Sequence, residues 1–448
     1  MDKPGFNEVR RNVAGVDLAG HANHYVCGPR RDDGTHEVVA FGTTTSDLLS
    51  LVRWLKDRNV VSVAMESTSV YWIPLYDLLE SSGIEAVLVD TRQVRMVPGK
   101  KSDVKDCQWL QRLHSCGLLH GAFRPDERYN AIRVVLRERQ NVLAMQTQAI
   151  QSIQKSMDQM NIRLHHAVSN VAGKTGMDIL RAIVDGERDP AKLAKLRHYT
   201  CKKTEEEIAK ELTGTWREEH LFNLGIAFRH LEFLQEQLAR YEEKVNSMYA
   251  ALARDSDRPV PPPDDSSEKK EKDRRNREIK RDLTRLTGFD LTRIDGIDAG
   301  LACQLISEIG PNVDRFPTEK KFVSYIGLAP PLGKSAGKNV RTRGKTKNTC
   351  RIGQLLRQAA STLSRSKSAL GARFRATRSR TSSKIAITDT ARTMAKLIYR
   401  GMKFGAAYVD EGEASYEQRR RDKTLRFIQR AIRTLDISLS ELGLPAAT

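Results

Sequence analysis

The apolar positions of the first hundred residues change period several times. Residues 12–19 (NVAGVDLA) form an apolar run broken by one acid, Asp17. Tyr25 to Cys27 and Glu37 to Phe41 read as two further short strands, separated by Pro29 and an Asp-Asp-Gly turn. Connections this short predict an antiparallel meander. From Thr45-Ser46-Asp47, good capping residues, Leu48, Leu49, Leu51, Val52, Trp54 and Leu55 recur at helical spacing. Val60 to Met65 predicts a strand that closes on Glu66, Tyr71 to Leu79 a helix, and Ile84 to Val89 another strand. A last helix opens at Asp103 and Asp106.

Farther on, the period is helical almost throughout. Ile132, Val135, Leu136, Val142, Leu143, Ile150, Ile153, Met157, Met160 and Leu164 form one stripe. Leu221, Leu224, Phe228, Leu231, Leu234, Leu238, Tyr241, Val245, Met248 and Leu252 form a second that advances by threes and fours. Such a seam predicts a coiled coil, within one chain or between two, about 50 Å long at 1.5 Å per residue; an ordinary bundle helix has the same pattern. Residues 173–215 are polar and irregular. Residues 255–282 carry Pro259, Pro261, Pro262 and Pro263, then a dense mix of charges, and read as a linker. A glycine-bearing turn, Ile294-Asp-Gly296-Ile297-Asp-Ala-Gly300, then leads into an apolar helix from Ala302 to Ile309, in the manner of a helix-hairpin-helix whose backbone N–H groups can hold a DNA phosphate.

Three strands, helix, strand, helix, strand, helix is the order of the ribonuclease H and RuvC fold. Within it the acids fall at telling places. Asp17 interrupts the first strand, where a lone buried carboxylate is expensive. Glu66 ends the fourth strand, which lies beside the first in this topology. Asp103 and Asp106, spaced i and i+3, share one helical face. Singly, each has a plainer reading, as a cap or a strand-end ion pair. Together they make a set of four oxygen donors able to hold two magnesium ions about 4 Å apart, the arrangement that serves phosphoryl transfer.

Charge narrows the partners. The 448 residues hold 75 Lys and Arg against 56 Asp and Glu, a net charge of +19, so a polyanion is expected, nucleic acid before membrane. From Lys334 to Lys384 there are fifteen basic residues and no acid. Lys334, Lys338, Arg341, Arg343, Lys345, Lys347 and Arg351 are the candidate phosphate contacts. The six cysteines form no C-x-x-C pair and no zinc-finger spacing, no stretch is apolar enough for a membrane span, and the polar start Met1-Asp2-Lys3-Pro4-Gly5 lacks a signal-peptide pattern. A cytoplasmic location is expected.

The stretches GVDLAG, AMESTSVYW and KKSDVKDCQWLQRLHSCGLL resemble the signature segments of DEDD transposases from bacterial insertion sequences, the insertion-sequence 110 family and its relatives. The resemblance runs from about Arg11 to Phe123. It implies that Asp17, Glu66, Asp103 and Asp106 are catalytic ligands of Mg2+. The run from Ile294 to Gly310, the YIGLAP stretch and the basic loop Gly333 to Asn339 resemble the same family's C-terminal domain, in which one serine is a nucleophile. That carry-over favours Ser335, although family members place Gly directly after the serine and this chain has Ala336. Ser324 is the alternative, expected to be a buried structural hydroxyl.

The resemblance further implies a transposase or DNA recombinase acting on element ends and target DNA, guided by a structured non-coding RNA. Recombination needs two duplexes held together, so self-association through the Leu221 to Leu252 seam, as a dimer or tetramer, is expected, as is association with the nucleoid. The expected division is 1–128 an α/β RuvC-like catalytic domain, 129–254 a helical coiled-coil region, 255–288 a charged Pro-rich linker, 289–408 a mostly α-helical C-terminal transposase domain, and 409–448 a helical tail. Two other readings compete. One is a junction-resolving endonuclease using metal-activated water; the other is a non-catalytic nucleic-acid scaffold.

Overall fold

The computed structural model describes residues 7–19, 22–31, 33–67, 70–90, 94, 103–122, 124, 126–261, 271–329, 333–335, 338–340, 350–405 and 411–435. The chain divides into two compact units, Met1–Arg124 and Pro125–Thr448.

The first unit is a five-stranded mixed sheet in the order β3-β2-β1-β4-β5. Its strands are β1 (Val13–Asp17), β2 (His24–Arg30), β3 (His36–Phe41), β4 (Ser62–Glu66) and β5 (Glu85–Val89). β1, β2 and β3 pair antiparallel, whereas β4 pairs parallel with both β1 and β5. Strand β2 runs through Pro29, where the register with β3 shifts between Cys27 and Arg30. A proline cannot donate to the ladder, so the irregularity is where it is tolerated.

Helix α1 (Thr45–Asp57) starts on a capping box between Thr44 and Asp47. With α2 (Trp72–Ser81) it covers one face of the sheet, burying Leu48, Leu51, Leu55, Leu75 and Leu79 against Ala14, Val16, Val63, Met65 and Leu88. Helix α3 (Asp103–Ser115) covers the other face.

In the second unit, α4 (Glu127–Gln159) and α9 (Glu218–Arg254) are helices of 33 and 37 residues. They pack antiparallel: Arg128 reaches Asp255 at one end, Arg139 meets Glu242 at 2.6 Å midway, and Gln159 and Glu219 line one cleft at the other end. The leucine seam of α9 is therefore used inside the chain. Leu224, Phe228, Leu231 and Leu234 are buried with Ile153, Met157 and Met160 of α4. The short helices α5 (Leu164–Ala167), α6 (Lys174–Val184), α7 (Pro190–Ala194) and α8 (Glu205–Glu211) close this end of the hairpin through Ile179, Leu180, Ile183, Leu193, Ile208 and Leu212. Residues 173–215 thus fold despite their polar pattern, because a few isolated apolar residues suffice when two long helices supply most of the core.

The hairpin's other end joins a second core with α10 (Glu271–Thr287), α11 (Ala299–Ile309), α12 (Glu319–Tyr325), α13 (Arg351–Thr362) and α15 (Ser383–Phe404). The fully buried Tyr249 donates from its hydroxyl to the Cys303 carbonyl at 2.6 Å and so ties α9 to α11. The expected linker ends in α10, because Ile279, Leu283 and Leu286 recur at helical spacing and are buried. A two-stranded ribbon, β6 (Gly333–Ser335) with β7 (Lys338–Val340), helix α14 (Ala369–Arg380) and helix α16 (Gly412–Leu435) complete the unit. Among the described residues no helix is long and apolar enough to cross a membrane.

Candidate active site and nucleic-acid interface

The geometry of the first unit begins with strand register. Val16 stands opposite Met65 in the parallel pairing of β1 and β4, so the next residues, Asp17 and Glu66, end adjacent strands side by side. Side chains alternate along a strand, so Gly15 and Asp17 share one face, and Ser62, Ala64 and Glu66 share the same face of the neighbouring strand.

That face belongs to α3. His114 Nε2 lies 2.8 Å from Ser62 Oγ, and the Gln111 amide donates to the Val13 carbonyl at 3.4 Å. At Gly15 the helix backbone comes so close that a Cβ would stand 2.3 Å from Gln111 N and 2.5 Å from the Cys107 carbonyl oxygen. Only glycine admits this approach. The last residue of α3, Ser115, accepts the backbone N–H groups of Val9 and Arg10, just before β1 begins. The helix therefore runs against β1, and its first turn, with Asp103 and Asp106, lies at the end of the sheet where Asp17 and Glu66 sit. In open α/β sheets, ligands bind outside the carboxyl ends of the parallel strands.

Asp17, Glu66 and Asp106 are half-buried, and Asp103 is exposed. The Cys107 thiol registers their field: burial first, and then the charges of Asp17 and Asp106, push it up to about 12. It stays protonated and donates to the Val104 carbonyl at 3.1 Å. Among the described residues, no group of three or more His, Cys, Asp or Glu is gathered so as to hold a metal ion. The donor chemistry of the four acids nevertheless suits a hard divalent cation: all are carboxylates, and the one neighbouring thiol is kept neutral.

In the second unit, Ser335 ends β6 and pairs with Lys338 of β7, and Lys334 pairs with Asn339. The segment read as a loop is thus a ribbon over 333–335 and 338–340. Arg341, Arg343, Lys345 and Lys347 lie outside the described residues. Ser324, expected to be buried, is exposed on α12, because Phe322, Val323 and Ile326 take the inner face.

The fold brings acids to the basic run that has none of its own. Arg351 stands 3.7 Å from Glu308, Arg373 2.9 Å from Asp389, and Arg375 2.5 Å from Glu413. These three charges are partly spent on structure, which the sequence run alone did not reveal. Arg351 also lines a polar cleft of about 640 Å3 with Arg139, Gln140, Gln304, Gln354, Gln358 and Thr362. Gly296, in the turn before α11, and Gly300, in the first turn of α11, line it as well. Gln354, Gln358 and Thr362 recur at i, i+4 and i+8 of α13, a polar stripe visible in the sequence but passed over there.

A mixed sheet of this strand order, with carboxylates at the ends of its two adjacent parallel strands and a mostly helical remainder, defines a ribonuclease H-like domain joined to a helical partner. Comparison with known families is specific. A family model of the DEDD type from the IS110 group, described as Transposase, matches residues 14–162, and one described as Transposase IS116/IS110/IS902 family matches residues 290–375. No individual curated protein matches the chain. The protein is a transposase, an enzyme of DNA recombination of the insertion-sequence kind.

Proposed function

We propose that this transposase cuts and rejoins DNA strands through two elements: a Mg2+ site held by Asp17, Glu66, Asp103 and Asp106, and a serine nucleophile, Ser335. The observation that carries the first element is the placement of Asp17 and Glu66 on neighbouring strand ends, with the acid-bearing first turn of α3 at the same end of the sheet. Carboxylates this near repel unless a cation lies among them. When bound, divalent ions at such a site stabilise the charge on the attacking and leaving oxygens of a phosphodiester.

The serine step conserves the energy of the bond it opens. Ser335 Oγ forms a bond to the scissile phosphorus as a phosphorus–oxygen bond to one sugar breaks. The hydroxyl proton passes to a neighbouring base, and the departing sugar oxygen takes up a proton. Attack by a second strand's hydroxyl on the serine ester reverses these changes and joins the new partner without external energy. A resolvase using water would lose that bond energy, so rejoining favours the serine reading.

The net charge of +19 and the arginines and lysines around the ribbon suit both DNA and a structured guide RNA, in which base pairing would supply the sequence choice. The turn at Gly296, at φ +87° between two helices, suits the helix-hairpin-helix role of presenting backbone N–H groups to a phosphate. Two duplexes must be held at once, which favours a homo-oligomer. The antiparallel packing of α4 and α9 along their apolar stripes suits a coiled-coil element within one chain.

The test uses labelled substrate DNA with magnesium, followed by denaturation. Label should remain on the parent protein and vanish, together with rejoining, in Ser335→Ala. Cleavage by the parent without any protein-bound label would favour the water-driven resolvase.

A further inference from the structure

Among the described residues, helix α16 is anchored at its start. The Glu413 N–H donates to the Lys367 carbonyl at 3.1 Å, and the Glu413 carboxylate pairs with Arg375. From Glu417 to Arg430 every residue but Asp422 is exposed. Most helical stability in proteins comes from packing an amphipathic face, and over these turns the described residues give α16 almost none. Its apolar residues are nevertheless ordered: Leu425, Ile428, Ile432 and Leu435 follow at intervals of 3, 4 and 3, and Leu439 and Leu442 continue the interval in the sequence. Leu425 is 48% and Ile428 45% exposed.

Numbered as a heptad, these residues occupy a and d without interruption. Within the apolar span the e and g positions are Thr424, Gln429 and Ala431, none of them charged, whereas one heptad earlier Glu417 stands at g and Asp422 at e. The basic residues Lys423, Arg426, Arg430 and Arg433 fall at b and f, the positions farthest from a partner. Like charges at e and g would oppose a second copy of the same helix; from Thr424 to Ala431 there are none, and the acidic pair Glu417 and Asp422 lies before the apolar span. A helix built only to lay its cations on a polyanion would have no need of leucine or isoleucine at the consecutive a and d positions 425, 428 and 432.

We propose that α16 is a self-pairing zipper, in which Leu425, Ile428 and Ile432 of one chain pack against the same residues of a second copy while Arg426 and Arg430 face outward. This specifies one contact surface within the proposed homo-oligomer and rests on that reading only for the existence of an assembly.

The experiment uses the full chain. Ile428→Cys, at d, should form a disulfide between copies under mild oxidation, whereas Arg430→Cys, at f, should cross-link at least tenfold less. Ile428→Asp with Ile432→Asp should lower the mass in sedimentation by a factor of two at micromolar protein. Ile428→Leu with Ile432→Leu should retain the parent mass, as should Arg426→Gln with Arg430→Gln. Equal cross-linking at both cysteines, or an unchanged mass in the double-Asp variant, overturns the zipper; in the second case an assembly that persists leaves the broader homo-oligomer reading standing. Because Ile428 is exposed and Ile432 half-buried in the single chain, an unchanged helical signal and thermal midpoint in the Asp variant would show that the lost mass is not unfolding.

Discussion

Gly15→Ala concentrates the argument for the carboxylate site in one methyl group. The added Cβ would stand 2.3 Å from Gln111 N and 2.5 Å from the Cys107 carbonyl oxygen, both backbone atoms of α3, so no side-chain rotation relieves the clash. For the nearer contact to reach ordinary van der Waals distance, α3 must retreat by about 1 Å, or β1 must bend by as much. Overpacking of this kind costs roughly 1–3 kcal/mol in stability. It moves Asp103 and Asp106 away from Asp17 and Glu66, and a misplacement of about 1 Å costs on the order of 100-fold in rate where groups must act together.

Urea denaturation gives the first quantity. Single-turnover strand cleavage at saturating DNA gives the second, and a magnesium titration completes the set. The half-saturating magnesium concentration should rise as the ligands separate, while DNA affinity stays near the parent value because the basic segment belongs to the other unit. A variant of full stability with parent-like cleavage and magnesium dependence would show that α3 does not set the position of the acids.

The other expectations are briefer. Asp17→Asn and Asp106→Asn should each abolish cleavage while leaving DNA binding within about twofold, measured by gel shift; unchanged cleavage in both refutes the metal reading. His114, buried and hydrogen-bonded to Ser62, has its pKa lowered to about 4, by burial first and then by the charge of Arg10. The unfolded chain therefore binds the extra proton between pH 6.5 and 4. This stability is present above pH 6.5 and lost as pH falls toward 4, by about 3 kcal/mol at roughly 1.4 kcal/mol per pH unit. Buried His24, lowered by burial as well, acts in the same direction. Denaturant titrations of the parent and of His114→Gln should differ in pH slope over that window, and parallel curves would dismiss the role of His114. Replacing Arg341, Arg343 and Lys345 with Gln should flatten the log–log dependence of DNA affinity on salt by about one unit per lost phosphate contact. An unchanged slope would identify a solvated patch.

Element order in the first unit was legible because each strand and helix there carries its own period and its own punctuation. Helix α1 starts at Thr45 as predicted, although its cap is Thr44, one residue before the trio read as capping, with Asp47 completing the box, and Glu66 closes β4 at the position the apolar run assigned. What the sequence could not disclose is contact at a distance. Gly15 reads as a glycine inside a strand, a pattern that hints at close backbone approach but does not say to what. Ser62 and His114 are 52 residues apart, and neither is remarkable in its own neighbourhood. Those are the groups that fix α3 to the sheet, and hence the direction in which Asp103 and Asp106 are presented.

The helical unit shows the same limit from the other side. The period of α9 established that Leu224, Leu231 and Leu238 need a partner, yet period alone cannot choose between a second chain and a second helix of the same chain. Local composition does not resolve it either, because α4 carries its matching stripe about ninety residues earlier. In the fold the choice is made by the short helices between them, which shut one end of the hairpin with their own leucines and isoleucines. Once Leu231 is wholly buried and Leu238 nearly so, those positions are no longer available to another copy. A surface for self-association must then be sought where apolar order survives without cover. Among the described residues α16 combines exposed Leu425 and Ile428 with e and g positions that are uncharged from Thr424 to Ala431, so the demand for a partner that the α9 seam first raised passes to the other end of the chain.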